Sequence, residues 1–463
     1  MEVNVNYRLS DKQSNVKSEG EAKSVLDEKY LTLIVEFGEP MLFAYTDITG
    51  IYDHDYKIDL FLGSKQTLNL SGLGYQYEDF LFQLYKLRNE LLLKYLLMEE
   101  TLVQAAFEAH FNWLDANGQL NQSGDCEVRL YETALVVLPQ KGEPIRVPYC
   151  YISQTSKADY KLVVTNEFGE KFEFSRLGEK FDPLAKGLSD AFNKMMLRSQ
   201  ETVKEMIPEA DAVTVRKLAA LIKDGRAAKR KDIELLSPDF WRRLTKRIKE
   251  AGMRSEYDYL NSMALTDQVY VGVKRGLMGD LTGSYIWLLF PLRDAKTGKL
   301  SNAVALEAFS ASQDNAQDQE KGETEKASLE ENTDQKGTIE EETSASGKAT
   351  YFFRIKPRRD YALAKEEEMN QELENFIKNV NRCMIDINFR REPIFLPEDT
   401  LDSPKYVQYR FAVAKMPSLK TLRTLFIGRV IHSSFDQWKS DVTSLLEFNN
   451  KSKDDNEKWK KRS

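Results

Sequence analysis

The apolar positions between residues 29 and 200 follow one order of periods twice. Residues 31–37 and 171–174 carry apolar side chains with a period near two, which predicts strands of a half-buried sheet. After Leu73-Gly74 the period changes to about 3.6 residues, which predicts an amphipathic helix. Its apolar face is formed by Phe80, Leu81, Leu84, Leu87, Leu91 and Tyr95. A second helix is predicted from about residue 181, with a buried stripe formed by Leu184, Leu188, Ala191, Phe192 and Met195.

Identical residues recur at a fixed spacing of 104 positions, with no gap. The residues that recur in this way are Gly38-Glu39-Pro40, Tyr45, Ile48, Asp55-Tyr56-Lys57, Ser71, Leu73-Gly74, Leu84, Asn89 and Leu93. This spacing indicates that one supersecondary unit is built twice. We attribute these shared marks to folding, because they lie at predicted turns, strand starts and the sheet-to-helix corner. In the Asp-Tyr-Lys mark, we expect Asp to end a turn, Tyr to pack inward and Lys to face water.

A small antiparallel sheet followed by one amphipathic helix resembles the pleckstrin-homology-like group of domains, by element order, over residues 29–98 and 126–200. The resemblance implies a curved sheet capped by a C-terminal helix. It also implies binding of phospholipid headgroups, peptides or partner proteins. The pattern shows about five strands per unit, where that group has seven. The loops at 38–40 and 142–144 are poor in Lys and Arg, which favours protein partners over lipid headgroups.

The predicted fold class is α+β, in tandem sheet-plus-helix modules followed by helices and a third β-rich region. The predicted domains are a polar tail at 1–28, a first repeat with an extended helix at 29–125, a second repeat at 126–206, a basic helical segment at 207–266, a C-terminal α+β domain at 267–450 and a charged tail at 451–463. The C-terminal domain is either a third, divergent copy or a separate fold.

Residues 312–348 interrupt the third sheet with eleven acidic against four basic residues, which equals the net charge of −7 of the whole chain. This stretch has almost no large apolar side chain, so it predicts a disordered insertion at a hairpin. Elsewhere the chain is close to neutral, and its 41% hydrophobic residues exclude wholesale disorder.

Candidate chemistry is sparse. The three cysteines (Cys126, Cys150 and Cys383) form no C-x-x-C pair, which is typical of a reducing compartment. No signal peptide or membrane-length apolar run is present, so we expect a cytoplasmic protein. The isolated histidines (His54, His110 and His432) match no metal motif, and no cofactor is expected.

The glycine-rich stretch 272–283 is the segment most like part of an enzyme. Amides freed by Gly276 and Gly279, beside Lys274 and Arg275, form a candidate anion-binding site. The stretch lacks the Lys-Ser/Thr of a P-loop, and no clear helix follows it. The alternative is a long turn between two strands, with glycines at positive φ.

Basic residues are concentrated between Arg216 and Arg254, with thirteen Lys and Arg against five acids. The candidates for binding nucleic-acid phosphates or an acidic partner are Arg226, Arg230, Arg242, Arg243, Lys246 and Arg247. No DNA-reading motif accompanies them. The alternatives are a solvated basic face, or a face masked by the acidic insertion 312–348 at close contact, since charges are screened beyond about 8 Å.

The leading hypothesis is a non-catalytic binding or scaffold protein that uses the tandem modules to bind protein partners. The alternative is a nucleic-acid- or chromatin-associated protein, since tandem pleckstrin-like modules with an acidic segment are similar to eukaryotic histone-chaperone architecture. A third hypothesis is an enzyme or anion binder that uses residues 272–283. The sequence specifies no oligomeric state.

Overall fold

A computed structural model describes seven stretches of the chain: 1–96, 100–275, 284–293, 300–310, 349–355, 365–432 and 434–451. The chain divides into two compact units, Met1–Asn193 with Leu401–Ala412 and Lys194–Thr400 with Val413–Ser463. In the described stretches the strands form three antiparallel sheets, accompanied by helices. The predicted α+β class is confirmed.

The first sheet has seven strands in the order β4-β3-β2-β1-β7-β6-β5. Helix α1 (Tyr77–Leu96) follows β7 and buries Phe80, Leu81 and Leu84 completely against the inner face of the sheet. We call these elements the first copy. Its strands are β1 (Glu2–Ser10), β2 (Val16–Leu26), β3 (Tyr30–Val35), β4 (Met41–Ala44), β5 (Ile48–His54), β6 (Lys57–Leu62) and β7 (Thr67–Ser71).

The second sheet repeats this topology, in the order β11-β10-β9-β8-β14-β13-β12, and is followed by helix α2 (Phe181–Met206). We call these elements the second copy. Its strands are β8 (Leu102–Leu114), β9 (Leu120–Tyr131), β10 (Ala134–Pro139), β11 (Ile145–Pro148), β12 (Ile152–Ala158), β13 (Lys161–Asn166) and β14 (Lys171–Ser175).

The two copies also share their internal hydrogen bonds. The phenol of Tyr45 donates to the carbonyl of Asp27, and the phenol of Tyr149 donates to the carbonyl of Tyr131, each at 2.9 Å. Both tyrosines are fully buried. Because donors and acceptors alike are one repeat spacing apart, the structure confirms that one unit is built twice.

Two expectations about the strands were wrong. Residues 2–26 form β1 and β2 instead of a loose polar tail, and residues 102–125, which were expected to extend a helix, form β8 and the first half of β9. Only one face of these strands is buried: Val3, Val5 and Tyr7 point inward between exposed polar residues. Such strands have a low apolar content, so the pattern of apolar residues did not reveal them. It predicted about five strands per unit, where each sheet has seven.

The repeated Asp-Tyr-Lys mark also behaves differently from expectation. Asp55 and Tyr56 both have positive φ (44° and 57°), as do Asp159 and Tyr160 (49° and 59°). Two consecutive positive φ values between paired strands are the signature of a type I′ hairpin turn. The tyrosines therefore sit at hairpin tips, 75% and 94% exposed, and do not pack inward.

The third sheet lies in the second unit and runs in simple sequence order from β15 to β20, so it does not repeat the topology of the first two. The predicted insertion does join two paired strands, β18 and β19, although residues 311–348 are outside the described stretches, as is the predicted tail from residue 452. The strands are β15 (Ala228–Lys229), β16 (Tyr270–Arg275), β17 (Ser284–Arg293), β18 (Leu300–Ser310), β19 (Ala349–Arg354) and β20 (Phe426–Ile431).

Helices pack on both faces of this sheet. Ile286, Leu288 and Phe290 share a core with helices of one side, whereas Phe353 contacts Phe376 of the helix Glu366–Asp386 with 5.8 Å between ring centroids. The described helices of the unit after α2 are α3 (Ala212–Leu221), α4 (Arg230–Leu236), α5 (Pro238–Glu250), α6 (Arg254–Met263), α7 (Glu366–Asp386), α8 (Glu392–Phe395), α9 (Glu398–Leu401), α10 (Val407–Lys415), α11 (Pro417–Leu425) and α12 (Phe435–Lys451), of which α9 and α10 are shared with the first unit.

Candidate partner-binding face

The two predicted cations of the glycine-rich stretch both have acidic partners within the second unit. Lys274 is buried, forms an ion pair with Asp224 and lies 5.4 Å from the ring centroid of Phe389. Arg275 reaches Glu205 at 2.6 Å. Gly276 and Gly279 are outside the described stretches. The anion-binding hypothesis stays a prediction, and its cations are already neutralised by carboxylates.

Gly272, at the start of the same stretch, is required for packing. A Cβ at this position would lie 2.2 Å from Nε1 of Trp287 and 2.3 Å from the carbonyl oxygen of Gly225. That indole donates a hydrogen bond of 2.9 Å to the same carbonyl. Only a glycine leaves room for this bond, so the residue serves the sheet and not a phosphate cradle.

The basic helices carry their own counter-charges. Arg230 pairs with Glu234 at 2.9 Å and lies over the ring of Trp241, and Arg226 is half-buried beside the turn before β15. The remaining contacts are Arg242 with Asp239 at 3.0 Å, Arg243 with Glu209 at 2.6 Å, Lys246 with Glu250 at 3.7 Å and Arg247 with the carbonyl of Glu205 at 3.1 Å. Nucleic-acid binding stays a prediction. The acidic partners weaken the positive electrostatic potential of this face.

A buried polar cluster on the third sheet was not anticipated from the sequence. Tyr285 donates a hydrogen bond of 2.5 Å to Glu307, and Arg391 lies 3.3 Å from the other oxygen of that carboxylate. Burial raises the pKa of Glu307 to about 7, against the opposing charge of Arg391. Because the carboxylate, phenol and guanidinium satisfy one another inside the core, we interpret the cluster as structural.

His110 takes part in a contact set that resembles a catalytic triad. Its Nδ1 lies 2.8 Å from Asp125, and its Nε2 lies 3.2 Å from Oγ of Ser123. However, that hydroxyl donates at 2.7 Å to Asn112, so its proton points away from the imidazole. The residues face each other on the outer side of the β8–β9 hairpin, where Ser123 and Asp125 are exposed. This set is therefore a solvated cross-strand network.

Three further findings concern chemistry. All three cysteines are buried, and none is in a disulfide. Within the described stretches, no three His, Cys, Asp or Glu side chains are grouped so that they could hold a metal ion. The helices of those stretches include none with the length and hydropathy needed to cross a membrane.

Helix α1 of the first copy packs against β9, β10 and the β10–β11 loop of the second copy. Every residue of β10 is buried, on both faces of the strand. Leu93 of α1 packs against Tyr131, Val136 and Leu138 in a small apolar cluster. A helix of the first copy therefore packs against the outer face of the second sheet.

Polar contacts fix the position of that helix. The side-chain amide of Asn89 donates to the carbonyl of Gly142 at 2.9 Å, and Arg88 lies 3.0 Å from Glu143. Lys141, in the same loop, lies 5.6 Å from the ring centroid of Phe82. Asn89, Leu93 and Gly142 are shared marks that we attributed to folding, yet here they join the first copy to the second.

Among the described residues, none covers the corresponding face of the first copy. Tyr30, Ile34, Phe37 and Leu42 are 38%, 43%, 89% and 61% exposed. We call these four residues the outer patch. Leu42 lies opposite Thr32 in the β3–β4 ladder, between Tyr30 and Ile34, so these side chains share the outer face, and Phe37 follows in the next loop.

The positions of the outer patch differ between the copies, and this difference was the signal available in the sequence. Tyr30, Ile34, Phe37 and Leu42 correspond, 104 positions later, to Ala134, Leu138, Lys141 and Arg146. Two exposed apolar residues thus replace two cations on a face that is otherwise built alike. Sequence reasoning did not single them out because an exposed apolar side chain looks like a core residue in the pattern.

Comparison with known proteins adds little to this picture. No protein-family model matches the chain, and no curated protein matches it. A solved structure, that of the Spt16D Pob3N heterodimer, is similar over 36% of this chain and 83% of its own, at 15% identity. The TM-score is 0.15, which is too low for the similarity to carry an argument.

Proposed function

We propose that this protein is a non-catalytic scaffold that binds a protein partner through its tandem pleckstrin-homology-like modules, with the outer patch as the binding surface. The observation that carries the proposal is the contrast between β10, which is buried on both faces, and β3, whose outer face bears exposed Tyr30 and Ile34. Contiguous exposed apolar side chains on a folded surface are typical of interaction sites.

The composition of the outer patch favours a protein partner over a lipid headgroup. Phe37 and Tyr30 are aromatic, a residue type that is enriched at the centre of protein interfaces. The exposed carboxylates of Glu36 and Glu39 flank Phe37, and they would repel anionic headgroups. A partner with an apolar strip bordered by basic side chains would match both properties of the surface.

Photo-crosslinking tests this proposal directly. We expect p-benzoylphenylalanine at position 37 of the full chain to form a protein adduct in native lysate, and Leu42→Asp to suppress that adduct. The matched control carries the same probe at Tyr75, which is 96% exposed and lies outside the patch. Equal labelling at both positions, or none at position 37, would contradict the proposal.

A further inference from the structure

We infer that the outer patch of one molecule binds helix α2 of a second copy of this chain, in the arrangement by which α1 covers the second copy. This inference rests on the proposed function and names its partner. The reason is that several residues on both sides of the α1 contact have counterparts 104 positions away on exposed surfaces, although Phe192 stands at the position equivalent to Arg88.

The hydrogen bond that positions α1 has its counterparts in place. Asn89 donates to the carbonyl of Gly142, and the residues at the equivalent positions are Asn193 of α2 and Gly38 beside the patch. Both are exposed. The backbone agrees as well, since Gly38 and Gly142 have similar positive φ values of 142° and 127°. A carbonyl presented in the same way can accept the same amide.

The lysine and the aromatic residue of another contact also have counterparts, with their sides exchanged. Lys141 lies over the ring of Phe82 in the contact between the two copies. The counterpart of Lys141 is Phe37, and the counterpart of Phe82 is Lys186 of α2. Phe37 and Lys186 are both exposed. A lysine placed over an aromatic ring is attractive whichever side supplies it.

An apolar contact continues the match one turn further along the helix. Leu93 packs with Leu138 in the α1 contact. Their counterparts are Leu197 and Ile34, which are 58% and 43% exposed. Asn193 and Leu197 are four residues apart, so they share one face of α2.

Charge favours the same occupant. The outer patch is bordered by Glu36 and Glu39, whereas the exposed side of α2 presents Lys186 and Lys194 with a single acid, Asp190, between them. Acidic and basic borders around apolar centres are complementary across an interface. The contact is heterologous, because the outer patch and α2 are different surfaces. Each molecule therefore presents one outer patch and one α2 surface. Association is then expected to continue beyond a dimer or to close into a ring.

Sedimentation velocity of the full chain from about 1 to 500 μM tests the inference. We expect the weight-average mass of the wild type to rise reversibly with concentration, past that of a dimer. Phe37→Lys places a lysine opposite Lys186 and should weaken association about ten-fold or more. Adding Lys186→Phe to that variant recreates the Lys141–Phe82 arrangement and should restore association to within about three-fold. Tyr75→Lys, an exposed aromatic outside the patch, should change nothing.

Two outcomes would overturn the inference: a wild type that stays monomeric throughout, or a double variant no better than Phe37→Lys. If the crosslinker at position 37 then still captures a different protein, and Leu42→Asp still suppresses that adduct, the proposed function stands and only the self-association fails. If position 37 gives no specific adduct, both fail together.

Discussion

Arg88 of α1 is almost completely buried, with 1% of its side chain exposed, and its guanidinium lies 3.0 Å from Glu143 of the second copy. The same guanidinium donates two hydrogen bonds, of 3.0 and 3.3 Å, to the carbonyl of Ile48 in the first copy. One buried cation thus ties the first sheet, its helix and the loop of the second sheet together.

We expect Arg88→Met to lower the free energy of unfolding by about 2 to 4 kcal/mol, because the buried carbonyl of Ile48 loses both hydrogen bonds from the guanidinium and Glu143 loses its ion pair with Arg88. Urea denaturation followed by circular dichroism measures this. The control is Arg176→Met, since Arg176 is 72% exposed and pairs loosely with Asp125 at 3.5 Å. That change should cost less than about 1 kcal/mol. Similar losses for both variants would contradict a special role for Arg88.

Gly272→Ala should destabilise the second unit by about 3 kcal/mol or more, because its Cβ would overlap the Trp287 indole and the Gly225 carbonyl, neither of which can move freely in the core. Gly63→Ala is the matched control, since its Cβ would meet its nearest atom at 3.7 Å, an ordinary contact. Thermal unfolding of both variants decides the point. A Gly272→Ala protein as stable as Gly63→Ala would mean that the stretch tolerates side chains and is free to act as a flexible loop.

The two hairpin tips offer a matched pair. Tyr160→Gly should stabilise the protein by up to about 1 kcal/mol, because glycine adopts the positive φ of a type I′ turn without strain and Tyr160 is 94% exposed. Tyr56→Gly gains the same relief but loses an edge contact with Tyr77, whose ring centroid is 5.4 Å away. We therefore expect it to be less stable than Tyr160→Gly by about 1 kcal/mol in chemical denaturation. The reverse order would contradict the Tyr56–Tyr77 contact, and a Tyr160→Gly variant that is less stable than the wild type would contradict the turn assignment.

Glu307 should make stability depend on pH. Its pKa is raised to about 7 by burial, above the ordinary value of 4.5, so the folded protein holds a proton that the unfolded chain releases. Stability from this group is therefore greatest at low pH, falls as the pH rises from about 4.5 to 7 and is constant above that, with a total change of the order of 3 kcal/mol. Glu307→Gln keeps a partner for Tyr285 but cannot ionise. We expect the wild type to lose stability relative to Glu307→Gln as the pH rises from about 4.5 to 7. If the difference in unfolding free energy between the two proteins does not change with pH, the raised pKa of Glu307 is refuted.

The basic helices should show weak nucleic-acid binding, because most of their cations already have acidic partners. We expect fluorescence anisotropy with a labelled DNA duplex to show little binding by the wild type at 50 mM salt. A quadruple variant should bind no less than the wild type when Ala replaces Arg242, Arg243, Lys246 and Arg247. Tight binding that weakens about a hundred-fold or more by 200 mM salt, and is lost in the quadruple variant, would instead support the nucleic-acid hypothesis.

The repeat was readable from the sequence because both copies need the same special backbone at the same places. Tyr45 and Tyr149 must reach matching carbonyls, and Asp55-Tyr56 and Asp159-Tyr160 must make matching turns. The strands that escaped notice, β1 and β2, bury only one face and carry polar residues on the other. Apolar and polar residues do alternate in these two strands, but the apolar residues are few. The polar composition of residues 1–28 therefore predicted a loose tail.

The candidate site was less accessible to prediction. Asn89 and Gly142 recur as Asn193 and Gly38, and from the sequence alone such marks are indistinguishable from folding requirements. Likewise, Lys274 and Arg275 look available for an anion until the structure places Asp224 and Glu205 against them. Those carboxylates lie 50 and 70 positions away in the chain, beyond the reach of any local pattern.

The sequence by itself determined the α+β class, the duplicated unit and the hairpin that carries the acidic insertion, because each of these depends on local periodicity and on the chemistry of turns. Only the tertiary structure decided which sheet face is covered and which is open. Coverage depends on which distant helix lies on a strand, and Ile34 and Leu138 are equally apolar in the sequence. One of them is buried under α1, and the other is exposed to water, where a partner can reach it.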